Sequence, residues 1–252
     1  RHGGFHDEAG RRFLFAASMQ RALIITGASR GIGYATARHF LQHGYKVINL
    51  SRTASSQEGV FQIVTDLSDP NWLSSCSEKI FSFTDGCEQI AVIHCAALLH
   101  KDSLNNVSVK SLQGVMQLSL IAPVQLNQLL LPYMKAGSSI IYVGSTLSEK
   151  AVPNAFSYVV SKHAVVGAMR STCQDLAGTG VHTACVCPGF TDTEMLRAHV
   201  GKSEEVLSGI AEGVTFKRLV DPEEIASALY FCTANPVING AIIHANLGQI
   251  ES

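Results

Sequence analysis

Residues 22–33 limit what this chain can become more than any other stretch. Ala22-Leu23-Ile24-Ile25 is a short, unbroken apolar run, the pattern of a strand buried on both faces of a parallel sheet. It leads directly into Thr26-Gly27-Ala28-Ser29-Arg30-Gly31-Ile32-Gly33. A helix is predicted over 34–43, closed by Gly44. In a strand–turn–helix of this kind Gly27 permits the tight turn and Gly31 lets the backbone approach a pyrophosphate. Gly33 lets the helix pack on the strand. The helix N-terminus then offers free N–H groups and a positive dipole end to phosphate oxygens. The spacing G-x-x-x-G-x-G in this context predicts nucleotide binding, as the first half of a dinucleotide-binding βαβ unit.

The rest of the chain keeps alternating. Strands are predicted over 46–50, 61–65, 91–97, 140–143, 181–186 and 241–244, the sixth broken by Cys187-Pro188-Gly189. Helices are predicted over 70–81, 111–134, a segment through Tyr158 and Lys162 to 176, and 222–233. The last opens on Asp221-Pro222-Glu223-Glu224, an N-cap followed by proline and an acidic first turn. Residues 191–217 are polar and weakly patterned. The expected fold is a single-domain, Rossmann-like α/β structure, a doubly wound parallel sheet with helices on both faces. No linker or repeat follows Ser18, so residues 19–252 read as one domain. Residues 1–18 show neither period, and the expectation is a leader or disordered extension before a native start at Met19.

Charge and composition exclude several classes. The formal net charge is -1 and basic residues are scattered, so nothing favours nucleic acid or an anionic membrane. No apolar run reaches the roughly 20 residues of a membrane span. The seven cysteines are odd in number and lack a Cys-x-x-Cys pair. Cys185 and Cys187 read as buried thiols of a reducing, cytoplasmic protein. The histidines show no metal-ligand spacing, and no metal is expected.

The candidate chemistry lies in Ser157-Tyr158-Val159-Val160-Ser161-Lys162. Tyrosine and lysine four apart share one helix face, and a phenol beside an ammonium gives up its proton more readily. Such a pair can act as general acid and base toward a carbonyl or alcohol. The second strand ends in Leu50-Ser51-Arg52-Thr53, without the acid that would bind a ribose 2′-hydroxyl. Arg52 and Arg30 instead suit a 2′-phosphate, favouring NADP(H) over NAD(H). The glycine loop, Asp66, segment 94–97, Ser145 and Pro188-Gly189 all fall at strand ends on the carboxyl edge, where such sheets bind ligands.

Over nearly all of residues 20–248 the chain resembles the short-chain dehydrogenase/reductase family. Thr26, Gly27, Gly31 and Gly33 match its T-G-x-x-x-G-x-G. Asp66-Leu67 matches its adenine-contacting pair, and Tyr158 and Lys162 match Y-x-x-x-K. Ser145 lies thirteen residues before Tyr158, as the family's catalytic serine does, and Pro188, Gly189 and Thr193 match P-G-x-x-x-T. The chain departs from the family at three places. His94-Cys95-Ala96-Ala97 stands for N-N-A-G and loses the asparagines that brace neighbouring strands. Ser119 stands where an asparagine helps hold a water leading from the lysine. Leu247-Gly248 replaces a glycine pair.

The resemblance implies an NADP(H)-dependent oxidoreductase interconverting a small carbonyl compound and its alcohol. Tyr158 would transfer the proton, Ser145 would bind the substrate oxygen, and Lys162 would bind the nicotinamide ribose. Ser119 would serve a shortened proton relay. Cofactor contacts are expected from Gly27, Ser29, Arg30, Gly31, Ile32, Gly33, Ser51, Arg52, Asp66, Leu67, Cys95, Ala96, Ala97, Tyr158, Lys162, Pro188, Gly189, Thr191 and Thr193. The alternatives are a 3-oxoacyl carrier-protein reductase and a catalytically weak NADP(H)-binding sensor or scaffold. Gln174 and Asp175, where carrier-docking reductases have basic residues, weigh against the first. A further rival, a nucleotide-sugar epimerase or dehydratase of the extended branch, would be expected to show a different glycine spacing and a longer C-terminal substrate domain. The two long helices imply a homodimer or homotetramer, with Leu126, Leu129, Leu130 and Met134 either forming the contact or covering the sheet.

Overall fold

The computed structural model describes residues 19–201 and 203–249; the expected leader, 1–18, lies outside them. The strands are β1 (Arg21–Thr26), β2 (Lys46–Ser51), β3 (Val60–Val64), β4 (Gln89–His94), β5 (Ser139–Val143), β6 (His182–Pro188) and β7 (Ala241–Ala245). All pair in parallel, in the order β3-β2-β1-β4-β5-β6-β7. The helices are α1 (Gly31–Gln42), α2 (Ser77–Thr84), α3 (Val109–Met116), α4 (Ala122–Leu130), α5 (Phe156–Asp175), α6 (Glu194–Val200), α7 (Glu204–Glu212) and α8 (Pro222–Ala234).

Period two along the strands divides the core. Ile24, Ile48, Val92 and Ile140 meet α4 and α5 through Leu126, Leu130, Val165 and Met169. Leu23, Ile25, Val47 and Ile141 meet α1 and α8 through Phe40, Ile225 and Leu229. Both faces are therefore covered, and the expected doubly wound sheet is the one observed.

Several boundaries differ from the sequence pattern. α1 begins at Gly31, inside the glycine turn. The helix expected over 111–134 is broken into α3, a π turn at Gln117–Ile121, α4 and a 3-10 turn at Leu131–Tyr133. Pro123 explains the break: it has no N–H to give the Ser119 carbonyl four residues earlier, so an α ladder cannot pass. Val109–Tyr133 is long and apolar enough for a membrane span by composition alone, yet its Leu126 and Leu130 are completely buried on the sheet. They cover the sheet rather than form a contact face. The exposed large hydrophobic residues here are Val109, Ile121, Val124 and Tyr133. β6 continues through Cys187 to Pro188, which pairs with Ala245, so the expected break comes only at Gly189. Residues 191–217 are not irregular but carry α6, capped by Thr193, and α7.

The bracing expected to be lost at His94 is present in another form. His94 Nε2 bonds Asn127 Oδ1 at 2.8 Å, Asn127 Nδ2 donates to Tyr142 Oη at 3.0 Å, and Tyr142 Oη bonds Thr172 Oγ1 at 3.1 Å. This chain ties β4, α4, β5 and α5 together. Burial pushes His94 down to about 4, against a smaller upward pull from Asn127. Unfolded histidine titrates near 6.5, so the neutral ring contributes stability above pH 6.5 that is lost as pH falls toward 4. Thermal unfolding followed from pH 7 to 4 should show this loss, at most about 3 kcal/mol. His94→Asn should flatten that pH dependence.

Candidate active site

The glycine turn is shaped by close approach. Gly27 sits at φ +76°, and a Cβ there would come within 2.9 Å of Ala96 Cα. A Cβ at Gly33 would overlap the Gly27 carbonyl oxygen. Thr26 Oγ1 accepts the N–H groups of Cys95 (3.0 Å) and Ala96 (3.1 Å), locking the end of β4 to the turn. Asn49 Oδ1 accepts Ala28 N–H at 2.8 Å, and its Nδ2 donates to Ser51 Oγ and Gln62 Oε1. α1 has no side-chain cap and no acid in its first turn, so its first N–H groups and dipole face an incoming anion.

A cavity of about 630 Å³ runs along the carboxyl edge of the sheet. Ser29, Arg30, Ile32, Ser51, Arg52, Asp66 and Leu67 line it beside the three loop glycines. Cys95, Ala96, Ala97, Pro188, Gly189, Thr191 and Thr193 line its middle, with Ser145, Tyr158 and Lys162. The sequence-expected site residues thus converge there, with one exception. Ser119 is buried within the π turn, its Oγ without a protein partner, and Leu118 forms the cavity wall instead. The helix widening at Pro123 alters the rotation of this turn, which the sequence spacing could not anticipate.

Lys162, buried on α5, donates from Nζ to the Val143 carbonyl at 2.7 Å, and Nζ stands 5.4 Å from the Tyr158 ring centroid. Ser145 caps the short turn after β5: its Oγ accepts Leu147 N–H at 3.1 Å, and its N–H donates to Ser148 Oγ at 3.1 Å. The serine hydroxyl hydrogen stays available to a ligand. Gly144 carries no Cβ because one would meet the sulfurs of Cys187 and Cys185 and the Ser148 hydroxyl. Those two thiols are free, buried and 3.9 Å apart. Cys95 is also a neutral thiol, pushed up to about 11 by burial despite the Lys162 charge.

Hydrogen bonds from the Ser68 hydroxyl and N–H hold the Asp66 carboxyl below its ordinary range, and Arg52 adds to this. Leu99, Leu147, Val152, Phe190, Met195, Leu196 and Val200 give the cavity its apolar lining. His199, held below its ordinary range by burial and then by the Lys101 charge, lies among them. Met195, Leu196, His199 and Val200 belong to the segment 194–216, which the sequence marks as the substrate loop; Leu99, Leu147, Val152 and Phe190 come from other connections and carry no period that would mark them. The uncapped α1 terminus, the glycines of the turn and a cavity of this volume fit a dinucleotide.

Sheet, glycine turn and cavity together define a dinucleotide-binding oxidoreductase. The family model described as enoyl-(acyl carrier protein) reductase matches residues 27–249. The 3-oxoacyl-[acyl-carrier-protein] reductase MabA of Mycobacterium tuberculosis is 26% identical over 92% of this chain and 93% of its own length. The 3-oxoacyl-[acyl-carrier-protein] reductase FabG of Escherichia coli is 28% identical over 90% and 96%. Among solved structures, the aldohexose dehydrogenase of Thermoplasma acidophilum matches with a TM-score of 0.84 at 26% identity, over 91% of this chain and 93% of that one. A short-chain dehydrogenase family protein of Francisella tularensis gives 0.83 at 26%, over 90% and 98%. The chain belongs to the short-chain dehydrogenase/reductase family.

Asn49 lies outside the sequence motifs yet supports the phosphate-facing turn. Asn49→Ala should leave the Ala28 N–H unpaired and lower the stability of the protein by about 2 kcal/mol, read as a shift in the urea midpoint.

Proposed function

We propose that this protein is an NADPH-dependent reductase of small, largely apolar carbonyl compounds. The observation that carries the reading is that Ser145, Tyr158 and Lys162 line the same cavity as the glycine turn. A bound nicotinamide supplies the hydride. Ser145 donates its hydroxyl hydrogen to the substrate oxygen and stabilises charge developing there. Tyr158 gives that oxygen its proton, and the Lys162 ammonium attracts the negative charge left behind. Lys162, anchored through Val143, is also placed to bind the ribose hydroxyls.

The preference for NADPH rests on Arg30 and Arg52 at the adenosine end. Arg30 pairs with Glu194 at 3.1 Å, both side chains more than half exposed. Such a pair contributes little and yields readily to a phosphate. A second reading is reduction of 3-oxoacyl thioesters, favoured by the names of the MabA and FabG relatives. Gln174 and Asp175 stand exposed near the end of α5, and neither offers a cation to an acidic carrier. On either reading the expected protein works in a reducing cytoplasm, consistent with its free thiols. A homodimer or homotetramer would cover Ile121, Val124 and Val160.

NADPH oxidation should be measured against ketones, aldehydes, diketones and a 3-oxoacyl thioester. Turnover of small carbonyls at least as fast as the thioester supports the first reading; no turnover of any probe favours the sensor alternative. Tyr158→Phe should lose about 100-fold or more in kcat while binding NADPH normally by fluorescence titration. Arg52→Ala should raise KM for NADPH about 10-fold or more and leave KM for NADH nearly unchanged, as expected for one lost charge-assisted contact.

A further inference from the structure

We infer that Asp102 is a positioning residue for Tyr158, acting as a remote cap on the helix that carries it. This rests on the reading of Tyr158 as the proton donor. α5 begins without a local cap: Ala155 precedes it and has no side-chain acceptor, and its first turn holds no acid. Its first intrahelical bond of this turn is from Val159 N–H to the Ala155 carbonyl. The N–H groups of Phe156 and Ser157 therefore need acceptors from elsewhere.

Asp102 supplies both. Its backbone carbonyl accepts Phe156 N–H at 3.1 Å. Its side-chain Oδ1 accepts Ser157 N–H at 3.0 Å, from a position 55 residues away in the chain. Asp102 also forms a parallel bridge to Ala155. Asp102 is 7% exposed, and its carboxyl group lies at the N-terminal end of α5, the positive end of the helix dipole. Ser157 directly precedes Tyr158, so this contact fixes the turn from which the phenol projects.

The same residue lies in the connection between β4 and α3. That loop carries Cys95, Ala96, Ala97, Leu98 and Leu99 along the cavity. Asp102 thus joins the wall facing the ligand to the helix bearing Tyr158 and holds the two in register. A helix freed of this joint would keep Lys162, anchored separately through Val143, but would let its first turn drift. A displacement of about 1 Å in a reacting group costs up to about 100-fold in rate.

The test compares Asp102→Ala, Asp102→Asn and Asp102→Glu. The probe is acetoacetyl-coenzyme A or 2,3-butanedione, whichever the unchanged chain reduces faster. Asparagine keeps the Oδ1 acceptor, whereas glutamate keeps the charge and displaces the oxygen by a methylene. Alanine and glutamate should lower kcat about 10- to 100-fold with less than about a threefold change in KM for NADPH. Asparagine should keep at least about half of kcat. Amide exchange at Ser157 should accelerate in alanine and glutamate and stay slow in asparagine, a readout that needs no substrate; where alanine does not fold, the glutamate variant carries the comparison. Full kcat in the alanine or glutamate variant, an asparagine variant as slow as alanine, or unchanged exchange at Ser157 would overturn the inference. So would a parallel loss of NADPH binding and kcat. Full turnover by Tyr158→Phe would overturn the reading of Tyr158 instead, leaving the exchange result to judge the cap alone.

Discussion

Everything in the cavity depends on how closely the ends of β1 and β4 meet. Thr26 accepts two backbone N–H groups from the segment after β4, and Gly27 leaves no side chain between the two backbones. An L-residue at Gly27 would need a disfavoured left-handed φ as well as space occupied by Ala96. The two demands coincide, so one substitution would disturb turn, strand end and cavity floor together. This contact sets where α1 begins, and hence where its free N–H groups point.

Around that contact the sheet is fastened by buried polar groups rather than by packing alone. Asn49 joins the glycine turn to β2 and β3. The His94–Asn127–Tyr142–Thr172 chain does the same for β4, β5 and the two helices behind them. Such networks add modest net stability when satisfied and cost much when broken. What they add here is registry: apolar contacts tolerate sliding, but directed hydrogen bonds hold strand ends, and thus cavity walls, in one arrangement. The strand ends that carry the site are the places so fastened.

The fold was legible in the sequence because its signals are local. Buried strands read as apolar runs, and the glycine turn lies in consecutive residues around 27–33. The expected cavity residues were legible for the same reason, each belonging to a short motif at a strand end or, for Tyr158 and Lys162, on one helix turn. What escaped were interactions between distant segments. No local pattern links Asp102 to Ser157, Thr26 to Cys95, or Asn49 to Gln62. Of the apolar lining, only the residues outside 194–216, Leu99, Leu147, Val152 and Phe190, escaped, because they come from several separate connections. Helix continuity through 117–121 was misread because apolar periodicity says nothing about Pro123's missing N–H.

The three departures from the family pattern are answered at the level of backbone and hydrogen bonds. At 94, imidazole replaces amide and still bonds across to α4, so bracing survives with a titratable group in it. At 247, leucine takes φ 54°, a left-handed conformation that costs a non-glycine residue about 1–2 kcal/mol. Thr215 holds it there, its Oγ1 donating to the Leu247 carbonyl and its N–H to that of Gly248. At 119, the side chain turns into the protein, but the carbonyl still lacks its α-helical donor because position 123 is proline. A comparison of side chains counts all three as losses. The geometry counts one bond replaced, one conformation kept under strain, and one side chain buried in a turn whose α ladder proline interrupts.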